Sequence, residues 1–96
     1  MMKLFHNSTL IGEVKNACPN GFEMHGIIEL TDNAKDYNDL FKYWTDENTS
    51  DEEDPPFPEK MLNNWFIEVE DGERKEIGLP GIFDRNNRKE ILWRYL

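Results

Sequence analysis

Apolar residues recur along this chain with two different periods. Between residues 22 and 31 they alternate. Phe22, Met24, Gly26, Ile28 and Leu30 fall on one side, and Glu23, His25, Ile27, Glu29 and Thr31 on the other, the period of a half-buried strand. From Ala34 the period becomes helical: Tyr37, Leu40, Phe41 and Trp44 stand at i, i+3, i+4 and i+7. The spacing predicts one long amphipathic helix over residues 31–44, with Thr31 or Asp32 accepting a bond from an orphan N–H of the first turn. Its aromatic face is expected to lie on a sheet built from the rest of the chain, with the Phe22-to-Leu30 side of the strand facing it.

The remaining segments read as short strands separated by turn residues. Residues 3–6 and 9–15 form a hairpin around Asn7-Ser8, since Asn tolerates the left-handed backbone of a tight turn. Gly12 within the second strand signals a bulge or a close backbone approach. Residues 17–21 (Ala-Cys-Pro-Asn-Gly) read as a loop. Residues 45–60, with six acids over 46–54 followed by Pro55-Pro56-Phe57-Pro58, are too polar to bury and are expected to form a mobile acidic surface loop, with Pro58 opening a short helix through Met61 and Leu62. Residues 65–70 are a strand with Trp65, Ile67 and Val69 on one face. A two-residue turn at Asp71-Gly72 would set Ile77 opposite Phe66, and a three-residue turn over 71–73 would set Ile77 opposite Ile67 and keep one face apolar. Residues 79–83 break the strand, Asn86-Asn87 turn the chain, and residues 89–96 form a last strand that is apolar on both faces and therefore central. The expected fold is α+β: a single domain over 1–96, a mainly antiparallel sheet of about six short strands with one long amphipathic helix packed on one face, in the order ββ-β-α-ββ-β.

Charge narrows the functional classes. Eleven Lys and Arg stand against twenty Asp and Glu, for a net charge of −9. Residues 1–54 hold twelve of the acids and four lysines, and every Arg lies beyond them. Phosphate recognition needs clustered positive charge, so nucleic acid is not the expected partner, and an anionic membrane surface repels such a chain. A basic protein surface attracts it; the plainer use of the same charge is solubility. No apolar run is long enough to cross a membrane as a helix. The single cysteine, Cys18, has no internal disulfide partner, which sets a reducing cytosol as the expected compartment.

The Ile11-Gly12-x-Val14 strand, the Gly26 strand running into a Tyr37-x-x-Leu40-Phe41 helix, the acidic loop and the closing Trp93-Arg94 together resemble a type of small bacterial α+β domain. That resemblance spans nearly the whole chain. Its motifs are structural, and it implies a fold and no activity.

Candidate chemistry is sparse. Asp46, Asn48 and Ser50 match the first oxygen positions of an EF-hand loop, but Asp51 replaces the turn glycine and Phe57 the bidentate Glu, so no calcium site is expected. His6, His25 and Cys18 would suit zinc or a thiol–imidazole pair if their strands met, yet their spacing matches no ligand set and a fourth ligand is lacking. Arg85, Arg88, Lys89 and Arg94 form one basic cluster that lies among Asp84 and Glu90, and Arg94 is expected to pair with carboxylates on a neighbouring strand. No glycine-rich phosphate loop, nucleophile elbow or zincin motif occurs. No cofactor or metal is therefore expected. The leading expectation is a small acidic cytosolic module, without chemistry of its own, that engages a basic protein as an inhibitor or immunity-type protein does, through Asp36, Asp39, Asp51, Glu52, Glu53 and Asp54. The alternative is an oligomeric small-ligand or enzymatic module with a site lined by Trp65, Trp93 and Tyr95.

Overall fold

The computed structural model describes residues 1–46 and 57–96. Seven strands form one antiparallel sheet: β1 (Met2–His6), β2 (Thr9–Asn20), β3 (Glu23–Leu30), β4 (Trp65–Glu68), β5 (Arg74–Ile77), β6 (Gly81–Arg85) and β7 (Arg88–Trp93). Their spatial order is β5-β4-β1-β2-β3-β7-β6. The chain passes from β3 to β4 through a 3₁₀ segment (Asp32–Tyr37), the helix α1 (Asn38–Thr45) and the short helix α2 (Glu59–Leu62). The α+β class and the antiparallel sheet are as the hydrophobic pattern predicts; the single long helix and the count of six strands are not.

The sheet bends because β2 carries an extra residue twice. Leu4 faces Gly12 while Phe5 faces Leu10, which leaves Ile11 unpaired against β1. Lys15 faces Ile27 while Cys18 faces His25, and Asn16, at φ +55°, takes up the second bulge. That second bulge also explains why residues 17–20 are strand and not the expected loop: pairing with β3 resumes after it, and the turn falls at Gly21-Phe22. Gly12 answers to both expectations, lying beside the first bulge where its Cα approaches the Glu29 carbonyl. Thus bent, the sheet meets itself. Ile77, at the end of β5, bridges Tyr95; the Gly78 N–H donates to the Arg94 carbonyl (3.0 Å) and the Leu96 N–H to the Glu76 carbonyl (3.1 Å). Six strands therefore close a ring, and β6 lies along the remaining length of the same β7 edge.

β6 is the strand that the sequence pattern missed. Pro80-Gly81 marks a break, but the break separates β5 from β6, and Asn86 (φ +54°) and Asn87 (φ +62°) form a two-residue left-handed turn that returns β6 onto β7. With β3 on its other side, β7 is central, as its two apolar faces predict. In the β4–β5 hairpin the Val69 N–H donates to the Glu73 carbonyl (2.9 Å). The turn therefore spans residues 70–72, and Ile77 faces Trp65, a register different from either expected one. It shares its parity with the three-residue alternative, so Trp65, Ile67 and Ile77 still share the buried face.

Residues 32–45 are one helical stretch of mixed geometry. Asp32, Asn33, Asp36, Asn38 and Asp39 are weak helix formers whose side chains compete for the backbone. Thr31 does not cap the helix: its hydroxyl donates to the carbonyls of Leu10 (2.7 Å) and Ile11 (3.2 Å), tying the chain to the first bulge of β2. The opening therefore stays 3₁₀, and the α-helix begins only at Asn38. Ala34, Leu40 and Phe41 join one core with Leu4, Ile11, Val14, Ile28, Trp65, Ile67, Ile77, Ile82, Ile91 and Trp93. Trp44, expected on the same stripe, is 48% exposed, and Phe22 stands out from the β2–β3 turn at 94% exposure.

Candidate partner-binding face

Nearly all the net charge lies on the crossover from β3 to β4. Residues 32–60 hold ten acids and three lysines, and the two stretches on either side carry one net negative charge each. Asp36 and Asp39 are exposed on this crossover, three residues apart, and neither has an ion-pair partner among the described residues. Asp39 sits in the first turn of α1, where a carboxylate also complements the helix dipole. Asp32 pairs loosely with Lys35 (3.9 Å). The other four acids proposed from the sequence, Asp51, Glu52, Glu53 and Asp54, lie outside the described residues, as does most of the EF-hand-like stretch.

The frame beneath these charges is fixed by a buried polar network that the sequence pattern did not reveal. His6 is buried on β1. Its Nε2 lies 2.8 Å from the Lys60 carbonyl and 3.1 Å from that of Asn63, and since carbonyls only accept, Nε2 carries the hydrogen. In the neutral ring Nδ1 then accepts from the Tyr37 hydroxyl at 2.6 Å. Trp65 Nε1 donates to the Met61 carbonyl (2.9 Å), and the Asn7 N–H to that of Asn64 (2.8 Å). Carbonyls that α2 and the turn after it leave without backbone partners are thus held by β1 and β4. Around the network the rings of His6, Tyr37, Phe41 and Trp65 pack at centroid distances of 4.7–6.2 Å. The Tyr37 phenol is held above its ordinary pKa by burial first and by the neighbouring Asp36 charge second. Tyr43 and Phe57 meet edge to face at 5.6 Å, which brings the two ends of the crossover's acidic middle together. A cleft of about 320 Å³ opens among Asp36, Tyr37, His6 and Lys60.

A second concavity, of about 480 Å³, lies at the last turn of α1. Trp44, Leu79, Phe83 and Trp93 line its wall together with the Glu23–Arg94 pair (3.8 Å). Trp93 is 2% exposed, and its Nε1 is buried without a hydrogen-bond partner. The three aromatics proposed for the alternative reading do not share this wall. Trp65 is fully buried in the His6 cluster, and Tyr95 packs edge to face on Trp93 at 6.3 Å.

The histidines are not neighbours, since β2 runs between β1 and β3. His25 bonds Glu90, which is 2% exposed, at 2.5 Å, and Arg85 stands 3.8 Å from the other Glu90 oxygen. Cys18 is directly opposite His25 in the register but exposed, and among the described residues no three His, Cys, Asp or Glu side chains are grouped to hold a metal. Arg94, just after β7, pairs with Glu23 on the neighbouring β3 as expected, and Lys89 pairs with Asp84 (3.0 Å). No described helix is long and apolar enough to cross a membrane. No protein-family model, curated protein or solved structure matches the chain.

Proposed function

We propose that the protein is a small cytosolic binding module that engages a basic protein partner through the β3-to-β4 crossover, in the manner of an inhibitor or immunity protein. The observation that supports this most is the separation of charge from core. Ten acids are carried on a connection whose Ala34, Leu40 and Phe41 are anchored in the core, and Asp36 and Asp39 face outward without a counter-charge among the described residues. Such an array speeds encounter with a basic surface and weakens with salt. Nucleic acid fits less well, because Lys89 and Arg94 are engaged by carboxylates. The free thiol of Cys18 accords with a reducing compartment. The oligomeric small-ligand reading has less support, since Trp65 is sealed in the core.

The experiment is affinity capture from host lysate at low and at moderate salt. The wild type is compared with a variant in which Asp36, Asp39, Asp51, Glu52, Glu53 and Asp54 are replaced by the matching amides. A basic protein retained by the wild type, lost with salt and lost with the variant supports the reading. Equal recovery by the variant overturns it.

A further inference from the structure

We propose that Cys18 is a thiol-exchange site: it takes up a small thiol from a low-molecular-weight disulfide, with His25 carrying the proton and the buried Glu90 positioning His25. The inference is independent of the acidic crossover.

Three observations carry it. The first is register. Beyond the second bulge of β2, Cys18 stands directly opposite His25 on β3 and is exposed as a free thiol. Residues opposite one another in an antiparallel pair project from the same face, with Cβ atoms about 4.5–5.5 Å apart. Glu90, opposite Ile27 on β7, shares that face, so a thiol, an imidazole and a carboxyl follow one another across three adjacent strands. The second is the way His25 is held. Its Nε2 lies 2.5 Å from Glu90 Oε1. Glu90 is 2% exposed, its Oε2 has no hydrogen-bond partner, and Arg85 Nε stands 3.8 Å from that oxygen. A buried carboxyl group so short of partners fixes the ring with Nε2–H toward it. Among the described residues nothing bonds Nδ1, which in the neutral ring carries the lone pair and is open to accept the proton of a neighbouring thiol. The thiolate is the nucleophile, so a positioned base beside it is what lets such a cysteine exchange. The third is local charge. Residues 16–22 are seven uncharged residues in a chain of net charge −9. At their ends Lys15 is paired with Glu29 (3.3 Å) and Glu23 with Arg94 (3.8 Å). No carboxylate within that stretch opposes a thiolate or repels an approaching disulfide.

The step needs no further reagent. The Cys18 sulfur bonds one sulfur of the disulfide as the S–S bond breaks, and the other sulfur leaves as a thiolate. That thiolate takes the proton that His25 received from Cys18. Cys18 is oxidised to the mixed disulfide, and half of the small disulfide is reduced to free thiol.

The test follows transfer from bis(2-hydroxyethyl) disulfide, an uncharged probe, onto the full chain by mass. The reference is a blocked peptide of residues 16–21, which keeps the sequence around Cys18 and lacks His25. At pH 6 the chain should react about tenfold faster than the peptide, and the advantage should shrink at pH 9, where thiols ionise without a base. His25→Gln should abolish the advantage with the circular dichroism spectrum unchanged. Glu90→Ala should lose most of it, and Glu90→Gln, whose amide oxygen still accepts from Nε2, should keep part. A chain no faster than the peptide at pH 6 overturns the proposal, as does an advantage that survives His25→Gln. A Glu90→Ala rate equal to the wild type overturns the positioning of His25 by Glu90.

Discussion

A histidine buried on an apolar strand face needs partners for both ring nitrogens, and His6 has three: two carbonyls on Nε2 and a phenol on Nδ1. Replacing it by Leu keeps bulk but leaves the Tyr37 hydroxyl and the Lys60 and Asn63 carbonyls without their donor or acceptor. The expected loss is about 2–4 kcal/mol, since each orphaned buried group costs about 1–3 kcal/mol and part of the gap rehydrates; the urea-unfolding midpoint measures it. Tyr37 adds a dependence on pH with a definite sign. Its phenol is held above its ordinary value of 10.0 in the folded chain, by burial and then by Asp36. Well below that value the phenol is protonated in both states and contributes no slope. As pH approaches and passes it, the unfolded chain gives up the proton first, so stability falls through the alkaline range. Unfolding free energies followed from pH 8 into the alkaline range should decline more steeply for the wild type than for Tyr37→Phe. The sequence presents His6 only as one of two histidines, a candidate for zinc or a thiol–imidazole pair without the spacing for either. Its role depends on the carbonyls of residues 60 and 63, more than fifty positions away, and no local pattern encodes that meeting.

Elements set by local chemistry were legible, and those set by distant partners were not. The β1–β2 hairpin follows from Asn7-Ser8, the β3 strand from its strict alternation, and the central place of β7 from having apolar residues on both faces. The helix at residues 31–44 was read from a stripe that is real for Ala34, Leu40 and Phe41, but Thr31 is drawn to Leu10 and Ile11, and the Asp/Asn-rich opening stays 3₁₀. The extension of β2 past Asn16 and the existence of β6 depend on bulges and on which edge remains free after pairing, both properties of the assembled sheet. Of the proposed site, Asp36 and Asp39 stand exposed, on the 3₁₀ segment and on α1, whereas the His6 network was not foreseen. Gly12 tests the element scale directly. A methyl group there would lie 2.8 Å from the Glu29 carbonyl oxygen and 2.8 Å from Ile28 Cδ1, so Gly12→Ala must push β3 away from β2 at the bulge. A loss of about 1–3 kcal/mol is expected, as for overpacking in a filled core. Gly78→Ala meets nothing nearer than Leu96 Cδ2 at 4.0 Å and should cost less than about 0.5 kcal/mol. Thermal unfolding of the two variants side by side reads the contrast; equal midpoints would mean that the close approach at Gly12 is not tight.

For the whole molecule the consequential feature is that a sheet with two ends becomes a ring with one free edge. An open sheet of this size leaves unpaired N–H and C=O groups at both sides, which invites other chains to pair there. Here β5 is paired on one side by β4 and at its end by residues 94–96, through the Gly78–Arg94 and Glu76–Leu96 hydrogen bonds, with Lys75 over the Tyr95 ring at 5.6 Å. The same closure holds Ile77 at 2% exposure beside Trp65, and Trp65 in turn packs on His6 and Tyr37, so the seam and the frame of the acidic crossover share one core. Removing residues 94–96 should therefore act in two steps that can be separated. The direct cost is two backbone hydrogen bonds at about 0.5–1.5 kcal/mol each, seen as a fall of roughly 1–3 kcal/mol in global stability. The regional effect is larger than that figure suggests at β5 alone. Amide hydrogen exchange at Gly78 and along β5 should lose protection well beyond the global change, while amides of β1, β2 and β3 follow the global change only. If β5 stays as protected as the middle of the sheet, the hairpin to β4 is sufficient by itself and the ring is a contact without mechanical consequence. If protection falls in β5 and also around His6 and Tyr37, the seam is coupled to the crossover, and the truncated chain should bind a basic partner more weakly although every acid of the crossover is still present.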